Sequence, residues 1–398
     1  STSTVTASKA KAVERRVQCL SGHLHPSSTL ATGEPEAPAP APQNSAPAIV
    51  KREMVAIEYR DLVRGSPRVA EQIRAAFSRG GLGILCVKGV PGYAELRKQL
   101  LPMASQLTRL RADQLRELED PASDFYFGYS YSKERVGGMP DVGKMSFYAN
   151  PRLDCPTEDK ALRERYPTIC RSNVWPSEAL PELEPAFKAL GGVMVDVGEL
   201  LGKECNKLVV RELARAGVHD VDLGEGVAGN PMFSKGRLLH FFGSSEKEAA
   251  PPSDALDSWI GWHTDKGLLT AIAQGMYVDR EGREVSCSPD PKSGIYIETR
   301  DGQIVQTDFA EDTIAFQTGE LIQLVSGGVL RATPHCVKQP EGAAGVGCNF
   351  LALFMNNSPE KAVRVPRNYV EQAAREFAGR WEPGVDFGTF AKRSTGAY

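Results

Sequence analysis

Between about Lys235 and Val365 the chain runs through GRLLHFF, LLTAIAQ, SGIYIET, QIVQTDF, TIAFQTG, LIQLVS, VLRATPHCV and NFLALFM, short β-branched or aromatic runs set apart by Gly, Asp and Ser. Runs of that length and spacing predict strands, and eight of them predict an antiparallel sandwich or jelly roll. Asp301-Gly302, between two of the runs, is a strong hairpin signal. Upstream the period is helical. Ser66 to Arg79 places Val69, Ile73, Ala76 and Phe77 on one face after a Ser-Pro start, and Gly80-Gly81 ends the helix. GILCVKGV, residues 83–90, predicts a buried strand before the Pro91-Gly92 turn, with a second helix from Glu95 to Leu107. Residues 120–180 are loop-rich and aromatic, in DFYFGYSYSKE, KMSFYANP and SNVWP, and predict core or lid packing. A long amphipathic helix is expected from Pro181 to Gly217, its stripe made by Leu183, Phe187, Leu190, Met194, Val197 and Leu201, with a break or kink at Gly191-Gly192. The chain closes with a predicted helix at 368–381 and a tail.

Composition changes this picture at the N-terminus. ATGEPEAPAPAPQNSAPA, from Ala31 to Ala48, is mostly Ala and Pro and cannot bury a core, and the Ser/Thr-rich, basic stretch before it suits an organelle transit peptide as well as a disordered tail. The expected organisation is therefore a tail or transit-like segment at 1–50 and an N-terminal helical or mixed region at 54–230 packing on the core. A β core at 231–365 and a C-terminal helix and tail at 366–398 complete it. The fold class is α+β, mostly β. A net charge of -3 gives no basic surplus for nucleic acid, and no apolar run is long enough for a membrane span. The eight cysteines are dispersed without CxxC pairs, which suits reduced thiols in a cytoplasmic or organellar compartment, plastid or mitochondrion included. Oligomeric state is not legible.

The candidate chemistry lies in three residues. His263 and Asp265 stand two apart in GWHTDKGLLTAI, so on a strand they share a face, and His335 follows several hairpin strands later in VLRATPHCV. Two imidazoles and one carboxylate on one side of an ion, with the other positions open, are the ligand set of non-haem Fe(II) oxygenases. Satisfied structural histidines are the alternative. Zinc hydrolases of the helical H-E-x-x-H type are excluded by the absence of that pattern. Of the other histidines, His23 and His25 lie in the tail and His219 in a polar loop. His240, on the strand GRLLHFF, is expected to be a hydrogen-bonded core residue rather than a contact in the metal pocket.

With these pieces in order, residues 54 to 390 resemble the isopenicillin N synthase-like branch of the Fe(II)/2-oxoglutarate-dependent dioxygenases. AFSRGGLGILCVKGVPGY, KMSFYANP, GRLLHFF, WHTDKGLLTAI, SGIYIETRDG, AFQTGE, SGGVLRATPHCV and WEPGVDFGTF carry the resemblance. It implies a double-stranded β-helix (jelly roll) with flanking helices, Fe(II) held by His263, Asp265 and His335, and 2-oxoglutarate and O2 as co-substrates for oxidation of a small molecule. One departure matters. Cys348 stands where the family places the Arg that pairs with the far carboxylate of 2-oxoglutarate, and Phe350 where it places Ser or Thr. A neutral thiol is no substitute for a bidentate guanidinium. Either another cation serves, with Arg331, Arg237 and Lys266 the nearest by sequence, or the protein is an Fe(II) oxidase without 2-oxoglutarate or a non-catalytic binding protein. Arg331, four residues before His335, is expected on the same strand face as that ligand.

Overall fold

The computed structural model describes residues 49–136, 138–219, 230–243, 259–286, 288–341 and 344–395. The expectations for residues 1–48, and for His23 and His25, lie outside the described residues. Residues 47–398 make one compact unit. The fold is mixed α+β with two large sheets. Short strands β1 (Val50–Lys51), β2 (Val55–Glu58) and β3 (Ile84–Lys88) precede β4 (Gly128–Tyr131), β5 (Arg135–Val136), β6 (Met139–Pro140) and β7 (Lys144–Ala149). The C-terminal half supplies β8 (Lys235–Phe241), β9 (Ile260–His263), β10 (Leu269–Val278), β11 (Gly294–Glu298) and β12 (Ile304–Thr307). β13 (Ile314–Thr318), β14 (His335–Lys338) and β15 (Gly347–Met355) complete the set. One sheet runs β1-β12-β11-β14-β9, and the other β2-β3-β13-β10-β15-β8-β7-β4.

Side-chain alternation divides the larger sheet into two faces. On β15, Leu351, Leu353 and Met355 join the main core, where they meet Phe187, Leu190, Met194 and Val197 of the helix Leu183–Arg215. The other face turns to the smaller sheet. Ile84, Ile272 and Ala315 pack with Ile295 and Ile297 in one cluster, and Leu239, Phe241 and Cys348 pack with Trp259 in another. Each large apolar side chain removed from water in this way contributes about 1.5–3 kcal/mol, so both faces of the sheet are committed. Asp301-Gly302 closes the antiparallel β11–β12 pair as the sequence predicts, with Gly302 at φ 77°.

Several expectations need correction. The long helix is continuous through Gly191-Gly192. Its glycines serve close packing: a Cβ on Gly191 would lie 2.5 Å from the ring of Pro151. LIQLVS is a buried helix, Glu320–Val325, because an apolar run of that length fits either period and tertiary contacts decide. The eighth core strand is Ile260–His263. Within VLRATPHCV only the segment from His335 onward is strand, so Arg331 precedes β14 and does not share its face. KMSFYA, in the stretch read as loop-rich, forms the fully buried β7 beside β8. Ordered chain begins before Met54, since Val50 and Lys51 pair with Val305 and Gln306. The closing helix is shorter than expected, Val370–Glu376, and the tail contains another, Phe387–Thr395. No helix among the described residues is long and apolar enough to cross a membrane.

Candidate metal centre and its cavity

His263 and His335 end up directly opposite each other where β9 pairs with β14. Their ring centroids are 4.2 Å apart, and the ligand atoms of His263, Asp265 and His335 all lie within 4.8 Å of one another. Each imidazole turns Nδ1 to a backbone carbonyl, His263 to Gly261 at 2.8 Å and His335 to Thr333 at 3.3 Å. That leaves Nε2 of both rings directed at the shared space, the arrangement by which a carbonyl partner fixes the tautomer of a ligating histidine. Burial, with His263 adding to it, pushes the His335 imidazolium down to about 4, so the ring is neutral as a metal ligand must be.

Asp265 is placed differently from the expectation. β9 ends at His263, and Asp265 sits two residues on, in a turn rather than on the strand. The turn is held by the start of the helix Glu320–Val325: Glu320 N–H donates to the Asp265 carbonyl at 2.7 Å and Gly319 N–H to Leu268 at 2.9 Å. The buried Glu320 carboxylate accepts from Thr264 at 2.7 Å and pairs with Arg380. Thr270 donates to Oδ2 of Asp265 at 2.6 Å, and Oδ1 is 3.8 Å from Nε2 of His263. One carboxylate oxygen is thus anchored while the other faces the imidazoles. Two imidazole nitrogens and one carboxylate oxygen on one side could hold a first-row divalent ion with open positions opposite.

The group opens into a cavity of about 660 Å³, whose lining includes Lys235, Arg237, Lys266, Glu134, Tyr148 and Phe354. Two of the three cations expected from sequence, Arg237 and Lys266, reach it. Arg237, on β8, donates Nε and Nη2 to the Ser146 hydroxyl at 2.9 and 2.8 Å and pairs through Nη2 with Glu134 at 2.5 Å. Burial opposes ionisation of Glu134, but Arg237 and Lys144 outweigh it and hold the carboxyl down at about 2. Burial lowers the Lys266 ammonium to about 8. Arg331 lines neither this cavity nor the second one. It donates Nη1 to the Tyr369 hydroxyl at 3.0 Å and pairs with Glu376 at 3.3 Å. His240 is buried on the opposite face of β8, with Nδ1 2.7 Å from Asn349 Oδ1, and His219 is exposed.

Cys348 faces a second cavity of about 910 Å³ between the sheets, lined also by Phe241, Trp259, Tyr277 and Phe350. Burial pushes its thiol up to about 12, so no charge stands there. Among the described residues, the cations lining this second cavity are Lys51 and Arg52, both exposed. Sequence reading missed Lys235, Glu134 and Glu320. Only Lys235 left a signal, as it precedes Arg237 by two on a predicted strand and must share its face.

No family model matches the chain. A rice (Oryza sativa subsp. japonica) homoarginine-6-hydroxylase is 22% identical over 257 residues, 64% of this chain and 69% of its own. Among solved structures, a full-length Neurospora crassa protein in complex with alpha-KG is similar at TM-score 0.59 and 15% identity, over 86% of this chain and 96% of its own. A 2OG-Fe(II) oxygenase family protein from Caulobacter crescentus is similar at TM-score 0.61 and 17% identity, over 88% and 99% of the two chains. At these identities the likeness establishes a shared fold.

Proposed function

We propose, from a fold shared with the Fe(II)/2-oxoglutarate-dependent oxygenases, that this chain belongs to that superfamily and oxidises a small molecule using Fe(II), 2-oxoglutarate and O2. The observation that carries the reading is the convergence of His263, Asp265 and His335 within 4.8 Å, with both histidine Nδ1 atoms and one Asp265 oxygen already engaged elsewhere. Those three residues would hold the iron, which would supply O2 activation coupled to oxidative decarboxylation of 2-oxoglutarate. The chain's own part is to fix the ligand atoms, through the Gly261 and Thr333 carbonyls, Thr270 and the Glu320 turn. The pairing orders β13-β10-β15-β8 and β12-β11-β14-β9 support reading β8 to β15 as a double-stranded β-helix. Residues 54–230 would then be a flanking region and 366–398 a C-terminal closure. The dispersed cysteines support a reducing compartment, cytoplasmic or organellar.

Anaerobic titration of Fe(II), then of 2-oxoglutarate, tests the reading. A visible charge-transfer band should grow with 2-oxoglutarate in the wild type and be lost in His335→Ala. Failure of the wild type to bind a divalent metal would overturn it. A second reading keeps iron and O2 and omits 2-oxoglutarate. Cys348, Phe350 and Phe241 favour it, because they leave the usual seat of the far carboxylate without charge. Iron binding with no band at millimolar 2-oxoglutarate would select it.

A further inference from the structure

Along β8 the residues on the inner face change character. Lys235 and Arg237 line the cavity that contains the candidate metal ligands, whereas Leu239 and Phe241 pack in the apolar cluster with Trp259 and Cys348. At about 3.3 Å per residue, Arg237 is ~13 Å along the strand from Phe241. Phe241 is the cross-strand neighbour of Cys348, and Ala352 that of Arg237. Positive charge is therefore absent from the inner end of β8 and concentrated at its metal end.

Neither cation is saturated by protein acids. Lys235 donates to the carbonyls of Thr168 and Tyr126, the latter at 3.4 Å, and the rings of Tyr126, Phe127 and Tyr148 lie 5.0, 5.1 and 5.7 Å from its Nζ. No carboxylate among the described residues pairs with it. Burial, reinforced by the positive charges of Arg237 and Lys266, pushes its ammonium down to about 7. Such a group costs stability unless an anion compensates it. Arg237 uses Nε and Nη2 on Ser146 and Glu134, and Nη1 has no protein acceptor among the described residues. Glu134 is shared among Arg237, Lys144 and the Tyr148 hydroxyl, so its single charge does not neutralise the wall. Tyr126, Tyr148, Phe233 and Phe354 add apolar surface to the same cavity.

We propose that Lys235 and Arg237 form a carboxylate anchor in the metal-side cavity, receiving either the far carboxylate of 2-oxoglutarate or the carboxylate of an acidic substrate whose apolar body packs on the neighbouring rings. The anchor rests on the metal-centre reading above only for what stands beside it. With Nε and Nη2 engaged, Arg237 offers Nη1 and Lys235 its ammonium, and two such charged donors on one wall recognise a carboxylate and discriminate against its neutral isostere.

Calorimetry on the full chain tests this with two probe pairs. On Mn(II)-loaded protein, 2-oxoglutarate is compared with 2-oxobutyrate, which lacks the far carboxylate. On metal-free and metal-loaded protein, hexanoate is compared with hexanamide. A preference of at least about tenfold for the member that carries the additional carboxylate, lost in both Lys235→Met and Arg237→Gln and kept in Lys235→Arg, supports the anchor. Its appearance in the first pair assigns it to 2-oxoglutarate, and in the second pair alone to the substrate. No preference in the wild type, or one that survives in both variants, overturns it. Failure of the wild type to bind Mn(II) would remove the metal reading, and the metal-free hexanoate pair would then decide the anchor by itself.

Discussion

At the residue scale, the candidate ligands and the candidate anchor differ in how they should respond to substitution. His263→Ala, Asp265→Ala and His335→Ala should each weaken Mn(II) or Fe(II) binding by at least about a hundredfold, since each removes one of only three protein ligands. Stoichiometric metal retained by all three variants would end the assignment. Lys235 makes the opposite kind of prediction. Its ammonium ionises at about 7 in the fold against an ordinary 10.5. Between those values the unfolded chain holds the extra proton, so this residue makes stability rise with pH across the window, and below it the full cost of a buried charge is present. Lys235→Met should therefore raise the apo-protein's Tm by a few degrees near pH 6, with the gain shrinking toward pH 10. A lower Tm at every pH would show that the ammonium's carbonyl and ring contacts outweigh its desolvation. The candidate ligands were legible because His-x-Asp before a predicted strand, with a further His several strands later, matches a known facial ligand set. Glu134 was not, because a charged residue in a loop-rich stretch carries no sign of what surrounds it, and Lys235 showed only the face it shares with Arg237.

At the element scale, the turn carrying Asp265 depends on the helix that sequence reading took for a strand. Gly319 has ordinary extended backbone, φ -100°, yet a Cβ there would lie 2.3 Å from the Gly267 carbonyl oxygen and 2.9 Å from that of Asp265. Those are backbone atoms with no rotamer to yield. Gly319→Ala should thus push the turn away, weakening metal binding about tenfold or more while lowering stability by roughly 1–3 kcal/mol. Metal titration beside a denaturation curve checks it, and a stability loss with unchanged metal affinity would show that the turn is held independently. LIQLVS could not reveal this role. All six residues of Glu320–Val325 are buried, so neither a period of two nor one of 3.6 is written in them.

At the scale of the whole molecule, the N-terminal boundary is a prediction with two cuts. Deleting residues 1–48 should change Tm by no more than ~2 °C, because an Ala/Pro-rich stretch has little apolar surface to bury. Deleting 1–53 should cost more, since it removes Val50–Lys51, a strand beside β12. Equal melting of the two truncations would remove β1 as a stabilising strand. The sequence by itself determined the mostly β C-terminal half, the long helix, the β11–β12 hairpin and the three residues of the candidate metal centre. These rest on local period, turn chemistry and residue type, which a linear string records. Only the tertiary structure decided that Asp265 sits in a turn held by a helix, that Arg331 is taken up by Glu376 and Tyr369, and that Arg237 meets Glu134 in the metal-side cavity. Those outcomes depend on which side chains meet across elements dozens of residues apart, where burial and charge pairing select among local options that the sequence leaves nearly equal in energy.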